Sequence, residues 1–190
     1  MKQISKQDIQ VQEIKREDFI HLHRYFFESP AEYLNSIGLK FPMPGEAEKF
    51  QKKWEQLFSD RDKSGLPIPV LTVLYKDRPM GFHPSTHQIP GESLIMHAHF
   101  FNSELRGMGI GTVSYVLAIE KFLTFYGYKE VIFKTPKQNA APIKIKEKLG
   151  LVASGEEVID WPALVRPLQV TVFRVNLSDI AILKSRVGLV

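Results

Sequence analysis

The chain has 190 residues, 44% of them hydrophobic, which is enough to bury one large core, so we expect a single domain over residues 1–190. It contains no cysteine, which excludes disulfides, thiolate metal sites and a cysteine nucleophile. The net charge of +4 is too small to indicate nucleic acid as a partner, and neither a secretory signal nor an apolar run of transmembrane length is present, so we expect a cytoplasmic protein with no membrane partner.

The first half of the chain shows the apolar periodicities of both helices and strands. A strand, three helices and three antiparallel strands are predicted, in this order, over residues 9–14, 17–29, 31–38, 46–60, 70–77, 80–88 and 93–101. Pro30 ends the pattern of the first helix. Residues 30–69 are less regular than the rest, so we expect a flap or an insertion there.

The second half begins with a helix pattern that Gly127 ends. A helix, a strand, a helix and two closing strands are predicted, in this order, over residues 112–126, 129–135, 138–150, 152–159 and 168–175. The tail, residues 177–190, forms either a final helix or a contact surface. Together these elements predict an α/β or α+β fold with a mixed sheet.

A glycine-rich segment, RGMGIGT at residues 106–112, connects the last strand of the first half to this helix. Gly107, Gly109 and Gly111 allow the backbone to approach an anion closely, because glycine has no Cβ and accepts positive φ. The helix start adds N–H groups and a positive dipole end, and Arg106 adds charge. The segment lacks the lysine of a P-loop and the spacing of a dinucleotide-binding motif. The alternative is that the glycines only make a tight strand-to-helix connection.

A metal site is a second interpretation of the same region. Gly91, His97, His99, Glu104 and Gly111 match the spacing of the cupin metal-binding motif. Alternation on a strand puts His97 and His99 on one face, where two imidazoles can reach one metal ion. A cupin also needs hairpin strands after the last glycine and a third histidine downstream, whereas this chain has a predicted helix there and no histidine after His99. The cupin is therefore the less favoured alternative.

Two segments resemble the GNAT superfamily of acyl-CoA N-acyltransferases. Residues 106–111 are similar to its R/Q-x-x-G-x-G/A signature, and residues 139–151, NAAPIKIKEKLGL, are similar to its second signature, an asparagine and a short helix ending in K-x-G-[FL]. The order of the predicted elements is also similar. The resemblance implies a mixed, mostly antiparallel central sheet that is flanked by helices and splayed at its fourth strand, residues 93–101. Residues 30–69 would then form a variable helical region on the side of the amine acceptor.

The resemblance also implies acetyl-CoA as the cosubstrate. Its pantetheine arm would lie along the splayed strand and contact the backbone of Phe100 and Phe101. Asn139 would face the pantetheine or the amine, and a helix N-cap is the other role open to it. The residues that would bind the diphosphate are Arg106, Gly107, Met108, Gly109, Ile110, Gly111 and Thr112.

The implied reaction is direct acetyl transfer to a primary amine of a small molecule or a protein N-terminus. An ammonium cannot attack a carbonyl, so a base must remove its proton, and His97 and His99 are the candidates. Many family members protonate the departing thiolate with a tyrosine seven residues after the asparagine, where this chain has Lys146. Lys146 is the third catalytic candidate, since a lysine can donate a hydrogen bond to the thiolate or stabilise it by charge. An acetyl-CoA-binding protein without catalysis is therefore the second hypothesis. Whether the chain forms a homodimer stays open.

Overall fold

Eight strands pair into one mixed sheet in the computed structural model, which describes residues 5–40, 46–101 and 107–189. In chain order the strands are β1 (Ile9–Glu13), β2 (Val70–Tyr75), β3 (Arg78–Ile89), β4 (Ser93–Met96), β5 (His99–Phe100), β6 (Glu130–Pro136), β7 (Ala153–Ile159) and β8 (Leu168–Asn176). Across the sheet their order is β1-β2-β3-β4-β6-β8-β7, and β5 pairs with β3. The pair of β4 and β6 is parallel and the other pairs are antiparallel, which confirms the predicted mixed, mostly antiparallel sheet.

Helices cover both faces of this sheet. The α-helices of the described residues are α1 (Phe19–Phe27), α2 (Ala31–Ser36), α3 (Glu46–Ser64), α4 (Ile110–Thr124), α5 (Ala140–Lys148) and α6 (Ile180–Arg186). Val70 of β2 belongs to the apolar cluster of α1 and α3, whereas its neighbour Leu71 belongs to the cluster of α4 and α6. Because neighbouring strand residues point to opposite faces, the sheet has an α1 face and an α4 face.

The helix α4 is the most deeply buried of these elements. Its side chains are apolar nearly all round, and Val116, Ile119 and Phe122 are fully buried against the sheet. Burial of each such side chain stabilises the fold by about 2 kcal/mol. The position of the N-terminus of α4 is therefore set by the core.

One predicted strand, residues 93–101, is interrupted. Its two parts, β4 and β5, keep the same register against β3. Between them the His97 N–H donates to the Pro84 carbonyl at 2.8 Å, but proline has no N–H with which to return the bond. The prediction of one continuous strand is therefore wrong at residues 97–98, because of a proline in the neighbouring strand.

The other predicted elements are present, with small shifts at their ends. The helix α3 runs to Ser64, beyond the predicted end at residue 60, and β3 runs to Ile89. Residues 177–190 contain α6, so the first of the two alternatives for the tail is confirmed. None of the described helices is long and apolar enough to cross a membrane.

Candidate functional site

The sheet opens between β4 and β6. These parallel strands pair only over residues 93–95 and 130–132. From there β6 continues along β8, while β5 continues along β3. The sheet is therefore splayed at its fourth strand, as predicted. The space between residues 96–101 and residues 133–136 is called the opening below.

Alternate backbone groups of residues 97–101 face the opening. The Phe101 N–H donates to the Met80 carbonyl at 3.2 Å, so it points toward β3. Alternation along the strand turns the N–H and C=O of Ala98 and Phe100 the other way, toward the opening. The Phe100 N–H and C=O thus face the opening, whereas the Phe101 N–H is used within the sheet. Ala98 is not among the residues expected from the sequence to contact the pantetheine arm. Strand alternation was the signal that could have indicated that its backbone faces the opening.

A glycine in β3 brings this edge of the opening into place. A Cβ on Gly81 would lie 2.4 Å from the His99 carbonyl oxygen and 2.8 Å from the Phe100 ring. Both separations are too short for non-bonded atoms, so no other residue fits at position 81 without moving β5. The close approach of β3 and β5 therefore depends on this glycine.

The glycine loop presents its backbone at the start of α4. Gly107 and Gly109 have φ values of 79° and 88°, in the left-handed region that favours glycine. A Cβ on either would meet no heavy atom of the described residues within 4 Å. The bond from the Val113 N–H to the Gly109 carbonyl, 3.1 Å long, closes the first turn, so the N–H groups of residues 110–112 have no partner within the helix. The predicted cation of this loop, Arg106, lies outside the described residues.

Three segments meet at the first turn of α4. A Cβ on Gly111 would lie 3.8 Å from the Phe100 ring and 3.8 Å from the Ile145 side chain. Phe100 belongs to the edge of the opening, and Ile145 belongs to α5. The two segments that carry the GNAT resemblance, residues 106–111 and 139–151, are thus adjacent in space although they are distant in sequence.

Asn139 is the N-cap residue of α5, with φ of −93° and ψ of 83°. Its backbone N–H donates to the Pro136 carbonyl at 2.9 Å. Its side chain makes no capping hydrogen bond to the described part of the helix. The capping position is therefore confirmed, but the side-chain cap is not formed.

Lys146 is buried on the α4 face below the opening. The residue is only 2% exposed, and its Nζ donates a hydrogen bond to the Tyr115 hydroxyl at 3.2 Å. Nζ also lies 4.4 Å and 4.8 Å from the ring centres of Tyr115 and Phe133. Phe133 is the first residue of β6 beyond its pairing with β4, so the amine lies next to the point where the strands separate. Burial lowers the pKa of Lys146 to about 7.

Tyr115, which lies in the helix predicted over residues 112–126, is the hydrogen-bond partner of this amine. Burial raises the pKa of its hydroxyl, so the phenol is neutral at physiological pH. The signal that could have pointed to the burial of Lys146 is its spacing three residues before the buried Leu149 on the same helical face.

His83 ties the broken strand to α4. It is fully buried, with Nδ1 at 3.2 Å from the His97 carbonyl and Nε2 at 3.0 Å from the Ser114 hydroxyl. A carbonyl only accepts, so the ring carries its hydrogen on Nδ1. Burial lowers the pKa of His83 to about 3, which keeps the ring neutral. The imidazole thus supplies the hydrogen bond to His97 that Pro84 cannot donate.

His99 lies on the α1 face and is half-buried. Its Nδ1 is 3.2 Å from the Tyr25 hydroxyl, and its ring meets the edge of Phe26 with 5.2 Å between centres. Burial, followed by the charges of His97 and His83, lowers the pKa of His99 to about 3. The ring is neutral near pH 7 and is held by α1.

His97 is on the same face, with different partners. Its Nε2 is 2.8 Å from Thr86 Oγ1, and its ring meets Trp161 edge-on at 5.9 Å. Burial, followed by the charges of His87 and Lys146, lowers the pKa of His97 to about 4. The imidazole is therefore neutral at physiological pH, which is the state that a general base requires.

The α1 face carries a groove lined in part by Tyr25, the hydrogen-bond partner of His99. The groove has a volume of about 360 Å³ and lies between α1 and Phe101, with Arg24 and Glu28 at its rim. The segment after α2 is hydrogen-bonded to the connection between β7 and β8, where the Lys40 N–H donates to the Ala163 carbonyl at 2.8 Å. Trp161 of that connection reaches His97 across the opening. The connection between β7 and β8 thus contacts both the segment after α2 and His97.

The cupin alternative requires hairpin strands after Gly111. The helix α4 begins at Ile110 instead, and the sheet is open rather than closed into a barrel. The cupin fold is therefore wrong for this chain. Its third proposed ligand, Glu104, lies outside the described residues.

A mixed sheet that opens between its fourth strand and a parallel partner, with a helix N-terminus at the opening, is the GNAT fold. Two solved structures are similar to the chain over most of its length. One is spermidine N-acetyltransferase from Vibrio cholerae in complex with CoA and spermine, at 14% identity, 92% coverage of this chain, 99% coverage of that chain and a TM-score of 0.69. The other is ribosomal-protein-S5-alanine acetyltransferase from Vibrio fischeri, at 17% identity, 89% and 93% coverage and a TM-score of 0.68.

At these identities the two structures establish the fold alone. No protein-family model matches the sequence, and no curated protein sequence matches it.

Proposed function

We propose that the protein is an N-acetyltransferase that moves an acetyl group from acetyl-CoA directly to a bound primary amine. The observation that carries this proposal is the meeting of Phe100, Gly111 and Ile145, which places the opening, the start of α4 and α5 around one point. A strand edge, an anion-binding helix end and a buried amine are together what a phosphorylated thioester needs.

The helix end is the proposed site of the CoA diphosphate. The N–H groups of residues 110–112 point out of the first turn, and the helix dipole adds positive potential there. The open space beside Gly107 and Gly109 lets phosphate oxygens approach the backbone. Lys134 already forms an ion pair with Glu157 at 2.8 Å. We therefore propose that the helix end and Arg106, and not Lys134, neutralise the negative charge of the diphosphate.

The opening is the proposed site of the pantetheine arm. The N–H and C=O groups of Ala98 and Phe100 face it, and an extended amide chain can pair with them as an added strand. Asn139 has no capping bond in the described structure and is proposed to contact the same arm.

Lys146 is proposed to protonate the leaving thiolate. The amine nitrogen attacks the thioester carbon, the C–S bond breaks, and the Lys146 ammonium donates a proton to sulfur. The acylated nitrogen then loses its extra proton to solvent, and Lys146 regains one from solvent, so the amide, the thiol and the ammonium are all restored to their neutral or resting forms. An ordinary thiol has a pKa of about 8.5 and an ordinary lysine one of about 10.4, so a solvated lysine would donate uphill. With its pKa lowered to about 7, Lys146 donates downhill. Burial thus makes this lysine acidic enough to take the place of the tyrosine that many GNAT members have.

His97 and His99 stay the candidates for the base that prepares the acceptor amine. His99 Nδ1 is engaged by the Tyr25 hydroxyl. His97 also bonds through one nitrogen, Nε2, but its partner is the hydroxyl of the exposed Thr86, whereas Tyr25 is buried. We therefore propose His97 as the base, with His99 and Tyr25 shaping the acceptor pocket.

Calorimetric titration with acetyl-CoA tests the binding half of the proposal. Gly109→Glu places a carboxylate in the anion site and is expected to weaken acetyl-CoA binding at least tenfold. Gly65→Glu is the matched control, since Gly65 also has positive φ, 70°, and open space for a Cβ, but lies at the end of α3. Equal affinity of the two variants would contradict the loop assignment.

A panel of amines, including small amines and peptides with free N-termini, tests the catalytic half. Because the protein has no cysteine, a thiol reagent reports only the CoA that is released. Turnover with at least one amine is the expected result. Acetyl-CoA binding without turnover of any amine would favour the binding protein without catalysis.

A further inference from the structure

A chain of hydrogen-bonding side chains leads from His97 to the protein surface. His97 Nε2 is 2.8 Å from Thr86 Oγ1, and the same oxygen is 3.2 Å from His87 Nδ1. His97 is half-buried, whereas Thr86 and His87 are exposed. The His87 ring stacks on Trp161 with 4.7 Å between centres and an interplanar angle of 28°.

We propose that His97, Thr86 and His87 form a proton relay that carries the proton of the acceptor amine to solvent. This proposal rests on the proposed acetyl transfer and extends it. His97 would touch the amine, and Thr86 and His87 would be positioning residues that act through it.

The two edges of the His97 ring suit this role. Every buried side-chain nitrogen and oxygen in the described ranges has a hydrogen-bond partner. His97 Nδ1 makes no hydrogen bond to the described residues, so this edge of the ring reaches accessible space on the α1 face. One edge is thus open to an amine while the other is bonded to Thr86.

The protons balance along the series His97, Thr86 and His87. The amine proton goes to His97 Nδ1 while the Nε2 proton passes to Thr86 Oγ1. The Thr86 hydroxyl proton passes to His87 Nδ1, and the His87 imidazolium releases a proton from Nε2 to water. One proton leaves the amine and one enters solvent, and no oxidant or further reactant is needed.

The relay explains how His97 can act as the base although its low pKa makes it a weak proton acceptor. With a pKa lowered to about 4, only about one His97 ring in a thousand is protonated at pH 7. Such a ring is a poor final acceptor for an ammonium proton. An exposed imidazole stabilises the charge by hydration, so passing the proton to His87 removes the charge from the buried position.

The charged and titratable groups around His97 favour this direction of transfer. Lys146 acts on it from α5, His99 follows it on the same strand, and His87 lies beyond Thr86 on β3. The uncharged Trp161 packs against it from the connection between β7 and β8. No carboxylate of the described residues contributes to the pKa of His97, so none of these acidic side chains stabilises its protonated form.

The backbone at His87 is shaped for this contact. His87 has φ of 47°, a conformation uncommon for residues other than glycine. It lies where the register of β3 against β4 shifts, between Thr86 and Ile89. Such irregularities redirect a side chain and are frequent beside active sites. Here the irregularity turns His87 toward Thr86 and Trp161.

Thr86→Val tests the relay, because it removes the hydroxyl while keeping the shape of the side chain. We expect kcat at pH 7 to fall at least tenfold, with the acceptor KM and the acetyl-CoA Kd changed less than twofold. Thr86→Ser, which restores the hydroxyl, is expected to recover most of the loss. Thr124→Val is the control for loss of an exposed hydroxyl outside the relay, and its kcat is expected to match that of the wild type.

His87→Ala gives an independent readout. Its kcat is expected to fall about tenfold and to recover on addition of free imidazole, since His87 is exposed and a soluble base can take its place. A merely structural role would show no such recovery. A Thr86→Val enzyme with the wild-type kcat, in a wild type that turns over, would overturn the relay alone. A wild type without turnover would overturn the relay together with the proposed function.

Discussion

Replacing Lys146 by methionine is expected to make the protein more stable. The pKa of Lys146 is about 7 in the folded protein, against about 10.4 in an unfolded chain. The unfolded state therefore binds more protons between these values, so this group makes stability rise with pH from about 7 to about 10.4. At pH 7 the buried amine therefore lowers the free energy of unfolding by about 4 kcal/mol.

The increase in the free energy of unfolding expected for Lys146→Met is smaller than this value of about 4 kcal/mol. Tyr115 loses its hydrogen-bond partner, which costs about 1 to 2 kcal/mol. The methionine side chain keeps the apolar packing against Phe133. A net gain of about 2 kcal/mol follows, which for a chain of this length raises Tm by about 5 °C. Because the wild type recovers stability with pH, the difference between the proteins is expected to shrink by about 2 kcal/mol between pH 7 and pH 9.

The same substitution is expected to lower activity. Loss of a general acid reduces kcat by about 10² to 10⁴, while acetyl-CoA binding at the helix end is unaffected. Urea unfolding at pH 7, 8 and 9 measures the first effect, and thiol release measures the second. Lys148→Met is the control, since Lys148 is exposed on the same helix and such changes alter stability by about 0.5 kcal/mol or less.

Two results would refute this reasoning. A Lys146→Met protein less stable than the wild type at pH 7, with the same dependence on pH, would show that the amine is solvated in the folded state. A variant with wild-type kcat would remove Lys146 from the reaction even if the stability changed as expected. The two assays therefore test burial and chemistry separately.

Three further outcomes are expected. Gly81→Ala should lower stability by more than about 2 kcal/mol in thermal unfolding, because its Cβ would lie 2.4 Å from the His99 carbonyl; Gly155→Ala, where a Cβ meets nothing within 4 Å of the described residues, should change stability little. In histidine-selective NMR spectra, His97 should titrate near its lowered pKa of about 4, and a midpoint between 6 and 7 would contradict its burial. His97→Ala should lower kcat steeply near pH 7 with unchanged acetyl-CoA affinity, and an unaltered kcat would exclude His97 as the base.

Local features of the sequence were sufficient for the parts of the site that local chemistry determines. The glycines of residues 107–111 and the apolar period after them predicted the loop and α4 without knowledge of the fold. The break at residues 97–98 was not predictable in this way, because it arises from Pro84 on another strand. The hydrogen bond between Lys146 and Tyr115 was not predictable for the same reason, since Tyr115 lies in a different helix.

The irregularity at His87 shows a further limit. Strand alternation predicts which face a side chain takes only while the register is regular. The shift between Thr86 and Ile89 breaks that rule, and it brings His87 to the same hydroxyl as His97. The sequence around His87 and the sequence around His97 do not predict this contact.

In the proposed reaction the acid and the base lie on opposite faces of one opening and are coupled by charge. The positive charge of Lys146 is among the causes that lower the pKa of His97. When Lys146 gives its proton to the departing thiolate, that repulsion disappears and His97 becomes a stronger base. Protonation of His97 would in turn make Lys146 a stronger acid. The two proton transfers therefore favour each other, and Lys146→Met should raise the pKa of His97, which the histidine-selective NMR titration measures directly.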